Sequence, residues 1–261
     1  SSKTILVDQF HLDLRFGLEI SDLSDIAAQT EFTVFRSAVE SGGKVKAILA
    51  PGCADYTRNQ LDELNKLARS HGAGGLLTIS LDSSAGNLDN LTMEMVKSVA
   101  AKYLTLDQVK EMAGRLKATG GDLLLIVAGK PDMVGTTLGE LRREIGRRLE
   151  LYRPDELAFA FITDYPLFES GDKEGSWQPM HHAFTAPKEE DLSLLGTAPG
   201  EVRSRHYDIV CNGYELASGS IRIHSRELQT EVFRVLGYTD EQIEDRFGTL
   251  LEAFEYGAPP H

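Results

Sequence analysis

Cysteine is scarce in this 261-residue sequence. There are two, Cys53 and Cys211, far apart and outside any CxxC or Cys/His spacing. That count argues against a disulfide framework and against a structural zinc site. Cys211 sits in an apolar, strand-like run, where a buried free thiol is the expected state. Such cysteine usage fits the cytoplasm. Long apolar runs are also missing. None approaches the ~18 residues that a membrane helix needs, so no membrane partner is expected. Ser1-Ser2-Lys3 leads into a short apolar stretch without a small-residue cleavage site, so no signal peptide is expected either.

An excess of basic charge is absent too. The sequence has 27 Lys and Arg against 40 Asp and Glu, a net charge of −13. Nucleic-acid-binding domains usually show a basic patch, so charge alone does not suggest RNA binding. The densest basic cluster is Arg142, Arg143, Arg147 and Arg148, at helical spacing beside Glu140 and Glu144. It reads as a solvated helix face with ion pairs rather than a phosphate patch. No GxSxG, Walker A or GxGxxG stands in a strand–turn–helix context. Gly72-Ala73-Gly74-Gly75 follows a helix and precedes a strand, the reverse of a phosphate loop.

What is present is a run of alternating helix and strand signals. Thr4 to Val7 and Leu12 to Ile20 read as extended pieces. Ser24 to Val39 reads as a helix, and Lys44 to Ala50 as a strand closed by Pro51-Gly52. Leu61, Leu64, Leu67 and Ala68 share one face of a helix over 57–71. Leu76 to Leu81 is a predicted strand and 89–102 a predicted helix. Thr105 and Gln108 fit a capping box that opens a helix to Lys117. Leu123 to Ala128 is a buried strand. Residues 26–128 thus form an α+β module with its own helices and sheet. A long helix with Val134, Leu138, Leu141, Ile145 and Leu149 in period follows. Strand signals lie at Leu157–Thr163, Tyr207–Leu216 and Ser220–His224. Two helices follow, over 226–236 and from Thr239 to Tyr256.

The richest chemistry lies in Tyr207 to His224, YDIVCNGYELASGSIRIH. Ser220, Arg222 and His224 alternate with Ile221 and Ile223. An arginine so placed holds a carboxylate or phosphate with its planar fork, or it is an exposed residue on a solvated sheet face. Both readings stand on this stretch alone. Asp208 and Glu215 could supply carboxylate oxygens to Mg²⁺ on a nucleotide. They are seven residues apart, so a regular strand would point them to opposite faces. Asn212-Gly213 predicts a turn or bulge that restores a common face. In Met180-His181-His182-Ala183-Phe184-Thr185, adjacent histidines point apart on an extended chain, so a metal site using both is not expected. One is expected in a polar cleft and the other packed.

DLRFGLEI, DYPLFE, MHHAFT, YDIVCNGYELASGSIRIH and LLEAFEYGAPPH run in an order that resembles bacterial and organellar aspartyl-tRNA synthetases. The stretch between the first two resembles the inserted GAD domain of those enzymes. The resemblance implies an α+β class II synthetase fold, an antiparallel sheet with flanking helices, with the GAD module inserted. It implies catalytic segments at 1–25 and 129–261 around a GAD domain at 26–128, and a catalytic domain lacking its dimer-core and final ATP-binding motifs. The implied activity is aspartate activation by ATP to aspartyl-adenylate and transfer to tRNA(Asp), with Mg²⁺, in a cytoplasmic homodimer. Asp208 and Glu215 match the acids that hold Mg²⁺ and ATP. Arg222 matches the arginine that receives the aspartate side chain, and His181 and His182 match the pair lining its pocket. Ala183 stands where the family usually has Pro, and Ala217-Ser218-Gly219 where it usually has three glycines. The isolated chain is expected to lack aspartate-dependent pyrophosphate exchange. The alternative is a noncatalytic GAD-containing module that binds tRNA or protein.

Overall fold

Seven residues, Leu123 to Gly129, form strand β5, and their apolar run has a direct cause: both faces of the strand are covered. The structure, a computed structural model, describes residues 13–153, 155–173 and 175–257. The extended piece expected at Thr4 to Val7 lies outside them. The chain divides into two compact units, Ser1–Ala158 and Phe159–His261.

In the first unit β5 is central in an antiparallel sheet. β1 (Ser21–Asp22), β2 (Lys44–Ala50), β3 (Leu77–Leu81) and β4 (Val96–Lys97) join it in the order β1-β2-β5-β3-β4. Side chains alternate across a strand, so β5 feeds two cores. Leu124 and Ile126 pack with Phe35, Val109 and Met112. Phe35 comes from α2 (Thr33–Glu40), and the other two from α4 (Leu106–Arg115). A short helix, α1 (Ser24–Ala27), lies on the same side and contributes Ile26 and Ala27. Leu123, Leu125 and Val127 pack on the other side with Leu64, Val134, Leu138, Leu141 and Ile145. Those belong to α3 (Arg58–Ser70) and α5 (Pro131–Arg148).

Local signals set these helices. Thr57 with Gln60 and Thr105 with Gln108 both form complete capping boxes, each satisfying orphan N–H groups at a helix start. Pro131 opens α5 where its missing N–H costs nothing. Three expectations are corrected. Ser24 to Val39 is two helices rather than one. Residues 89–102 are not helical; they hold short 3₁₀ turns and β4. Asn87 Oδ1 accepts the Asn90 N–H at 3.2 Å, a local bond that competes with a helix ladder. The strand expected over Leu12–Ile20 is a turn and irregular chain among its described residues, with Phe16 and Leu18 packed into the second core.

Arg142 explains that packing, and it corrects the solvated-face reading. Arg143, Arg147 and Arg148 do pair with Glu140 and Glu144. Arg142 is 4% exposed. Its Nε donates to Leu18 O at 2.6 Å and its Nη2 to Asp13 O at 2.6 Å. Its guanidinium stands 4.7 Å from the centre of the Phe16 ring. Each carbonyl left buried without a donor costs ~1–3 kcal/mol. Arg142→Leu is therefore expected to lower unfolding free energy by ~2–4 kcal/mol, because the acceptors stay behind while the cation goes. Faster amide exchange confined to residues 13–20 checks this; unchanged exchange there contradicts it. Segment 129–158, expected with the catalytic part, thus packs on the first unit's sheet through α5.

In the second unit, β6 (Phe159–Ile162), β9 (His206–Cys211) and β10 (Tyr214–Ser220) form an antiparallel sheet in the order β10-β9-β6. β7 (Phe168–Ser170) and β8 (Trp177–Pro179) pair as a separate ribbon. α6 (Arg226–Val235) buries Val232 with Leu167, Phe168, Leu195, Val202 and Ile223. α7 (Asp240–Glu255) packs beside α6, with Phe233 stacked on Phe247 at 4.2 Å between ring centres. Thr239 and Gln242 form the capping box expected there.

Candidate functional site

The turn between β9 and β10 decides where the chemistry points. Asn212 and Gly213 both take positive φ, 52° and 85°, the backbone of the tight hairpin turn that Asn-Gly favours. Across it Glu215 pairs with Val210, Ser218 with Asp208 and Ser220 with His206. The register shifts between Glu215 and Ala217, so Leu216 is the extra residue of a bulge. Directly opposed residues share a face. Asp208, Glu215, His206, Ser218 and Ser220 therefore lie on one face, as the Asn212-Gly213 signal predicts. The other face carries Phe159, Phe161, Tyr207 and Tyr214, all exposed.

Asp208 is 8% exposed, and each of its oxygens has one hydrogen-bond partner. Its Oδ2 accepts the Tyr165 hydroxyl and its Oδ1 lies 3.0 Å from His206 Nε2. A carboxylate has no proton to give, so His206 Nε2 carries the hydrogen and donates. His206 Nδ1 is buried and has no partner among the described residues. The His181 ring stacks on His206, 3.7 Å between centres and 22° between planes. Tyr165 meets both rings edge-on, at 5.0 Å and 5.1 Å. Burial first, then the Asp208 carboxylate, pushes the Tyr165 hydroxyl far above its ordinary value, so it remains a donor. Glu215 also acts electrostatically on Tyr165 and His181.

The strand expected over Ser220–His224 is corrected: β10 ends at Ser220. Beyond it the chain changes partners. Ile221 N donates to Arg205 O at 3.0 Å, and Ile223 N to Phe184 O at 2.9 Å. Arg222 bridges Thr185. Buried Ile223 anchors this segment, which leaves Arg222 exposed over the His182 ring, Nη1 lying 2.9 Å from Nδ1. Ser220 Oγ is 3.4 Å and Thr185 Oγ1 3.3 Å from the same ring. Arg222 makes no ion pair among the described residues, so its positive charge is available. Both histidines thus sit among polar groups, His181 against Tyr165 and His206, and His182 against Arg222. His224 is exposed.

Burial lowers the pKa of His181 below the ordinary 6.5, with His206 adding to it. Burial and then the Arg222 cation do the same for His182. Both are neutral at pH 7. Their protons are refused by the folded chain and accepted by the unfolded one. The stability linked to them is thus present above 6.5 and lost as pH falls through the lowered values. Imidazole NMR titrations are expected to give both midpoints below 6.5; midpoints above it contradict this environment.

Sequence patterning missed Tyr165 and His206. For His206 a signal was there: it lies two residues before Asp208 in one strand, hence on the same face. Tyr165 lies in the DYPLFE motif, but nothing local points its hydroxyl at Asp208. Among the described residues no group of three or more His, Cys, Asp or Glu could hold a metal. Carboxylates on the sheet, with an exposed guanidinium and neutral imidazoles from the segments beside it, suit the binding of a charged small molecule rather than proton transfer alone.

The family model for "tRNA synthetases class II (D, K and N)" matches residues 5–261. The chain belongs to that family. Its relatives include the aspartate–tRNA(Asp/Asn) ligase of Dehalococcoides mccartyi, 55% identical over 249 residues, which covers 95% of this chain and 42% of that protein. The aspartate–tRNA(Asp/Asn) ligase of a Thermoanaerobacter species is 48% identical, over 95% of this chain and 40% of that protein. The aspartate–tRNA ligase of Ruminiclostridium cellulolyticum is 44% identical over the same shares. The chain spans about two fifths of the length of these curated relatives.

Proposed function

We propose that this chain carries the aspartate- and ATP-handling part of an aspartate–tRNA ligase, with residues 26–128 as an inserted GAD domain and 1–25 and 129–261 as catalytic segments. The observation that carries the reading is the shared face of Asp208 and Glu215, with the unpaired Arg222 and His182 next to it. Arg222 holds the side-chain carboxylate of aspartate through its planar fork. His182, neutral, supports that guanidinium without adding charge. Aspartate's α-carboxylate oxygen then attacks the α-phosphorus of ATP, a P–O bond forms, and pyrophosphate leaves with the electron pair of the broken bond. A hydroxyl at the tRNA(Asp) terminus next takes the aspartyl group and releases AMP.

Asp208 and Glu215 fit Mg²⁺ by donor chemistry. Glu215 is exposed, and each Asp208 oxygen accepts one bond, leaving a lone pair free. Held by Asp208 and Glu215 together with ATP, Mg²⁺ would supply neutralisation of the charge on the phosphates. No described helix is long and apolar enough to cross a membrane, and we place the enzyme in the cytoplasm as a homodimer. Aspartate-dependent ATP–pyrophosphate exchange by the full gene product tests the proposal. Exchange with aspartate but not with lysine or asparagine supports it. Exchange with either of those instead sinks it.

A further inference from the structure

The mechanism above uses Asp208 but gives no task to the groups that hold it. A buried carboxylate can be satisfied in many ways. Here it is satisfied by two donors that lock it in one orientation. Tyr165 reaches Oδ2 from the loop after β6 and His206 reaches Oδ1 from β9 itself. Tyr165 is 3% exposed and His206 is 9% exposed, with its second nitrogen unpartnered. A buried polar atom without a partner is a cost that ordinary core packing would remove. His206 is instead kept in place, clamped between the carboxylate on one side and the stacked His181 ring on the other.

We infer that Tyr165 and His206 are positioning residues that aim the Asp208 carboxylate at the face it shares with Glu215, and so set the use of magnesium and ATP without touching aspartate. The inference rests on the proposed ligase activity. The two carboxylates come from different depths: Asp208 is buried and Glu215 exposed. A buried acid and an exposed one meet at a common ligand only if the buried one already points correctly. Groups in the second layer around a metal-binding acid typically change affinity or activity by ~10–100-fold when removed. Among the described residues neither Tyr165 nor His206 hydrogen-bonds to Arg222 or His182, so the guanidinium proposed to hold the aspartate side chain keeps its own contact.

Tyr165→Phe removes one hydroxyl and little volume. His206→Ala removes the second donor, and His206→Gln keeps an amide donor. Tyr207→Phe, on the outer face, is the control. In the full gene product, exchange kinetics give separate KM values for ATP and aspartate. Mn²⁺ alone, titrated by electron paramagnetic resonance, gives a readout independent of turnover. Tyr165→Phe is expected to weaken Mn²⁺ binding and raise the KM for ATP by ~10-fold or more, with the KM for aspartate within about twofold. His206→Gln is expected to retain most of what His206→Ala loses. A merely structural pair would lower the melting temperature and leave the ratio of the two KM values and Mn²⁺ binding unchanged; that result overturns the inference. Wild-type protein that exchanges normally beside an unaltered Tyr165→Phe overturns the inference alone. Wild-type protein without exchange overturns the ligase reading and this inference with it.

Discussion

Arg222→Ala in the full gene product is expected to raise the KM for aspartate by ~100–1,000-fold while the KM for ATP changes less than about threefold. Two charge-assisted hydrogen bonds to one carboxylate are worth ~1.5–3 kcal/mol each, so losing both removes ~3–4 kcal/mol even after water partly replaces them. At ~1.4 kcal/mol per factor of ten, that is the stated range. The structure makes this arginine a candidate for such a loss because no carboxylate among the described residues pairs with it. Its guanidinium is exposed and makes no ion pair among the described residues; its contact is with the neutral ring of His182. Arg222→Lys keeps charge but not the planar fork, and partial recovery at most is expected. Since the side chain is exposed, melting temperature is expected to hold. A fall in stability with unchanged substrate preference would mark Arg222 as structural.

Glu215→Gln is expected to reduce exchange by ~100-fold or more, with added Mg²⁺ recovering part of the rate. The substitution keeps size and removes one negative charge. Glu215 is exposed, so folding does not depend on it. Its place on the Asp208 face depends on two local features, the Asn212-Gly213 turn and the Leu216 bulge. With those in place, two carboxylates supply what a hard cation takes from protein. With one gone, Asp208 alone is left to hold the cation, which weakens its binding and is why added Mg²⁺ recovers part of the rate. Undiminished exchange in Glu215→Gln would mean that this face handles something other than a metal-bound nucleotide.

The three charged residues of the candidate site were legible in the sequence. Asp208, Glu215 and Arg222 stand in a long motif, so resemblance located them. The Asn-Gly signal predicted the turn that resolves their parity. Other features hid because sequence fixes period better than side. Alternation in β6 and β9 marks two faces, yet here the exposed face is the aromatic one, with Phe159, Phe161 and Tyr207. The covered face holds His206 and Asp208. A rule that puts apolar residues inside reads this sheet backwards. Arg142 misled in the same way: four arginines at helical spacing look alike, but one faces the chain at 13–18 and is buried by carbonyls far away in sequence. Tyr165 carries no local mark, since its partner is forty-three residues on. The two-sided core around β5, by contrast, was readable, because a continuous apolar strand requires cover on both faces.

The most direct measurement is a crystal structure of the full gene product with a nonhydrolysable aspartyl-adenylate analogue. Arg222 is expected to hold the analogue's side-chain carboxylate at ~2.7–2.9 Å, with Asp208 and Glu215 turned toward its phosphate-like end. An analogue bound elsewhere, or bound here with Arg222 turned to solvent, contradicts the assignment of this sheet face.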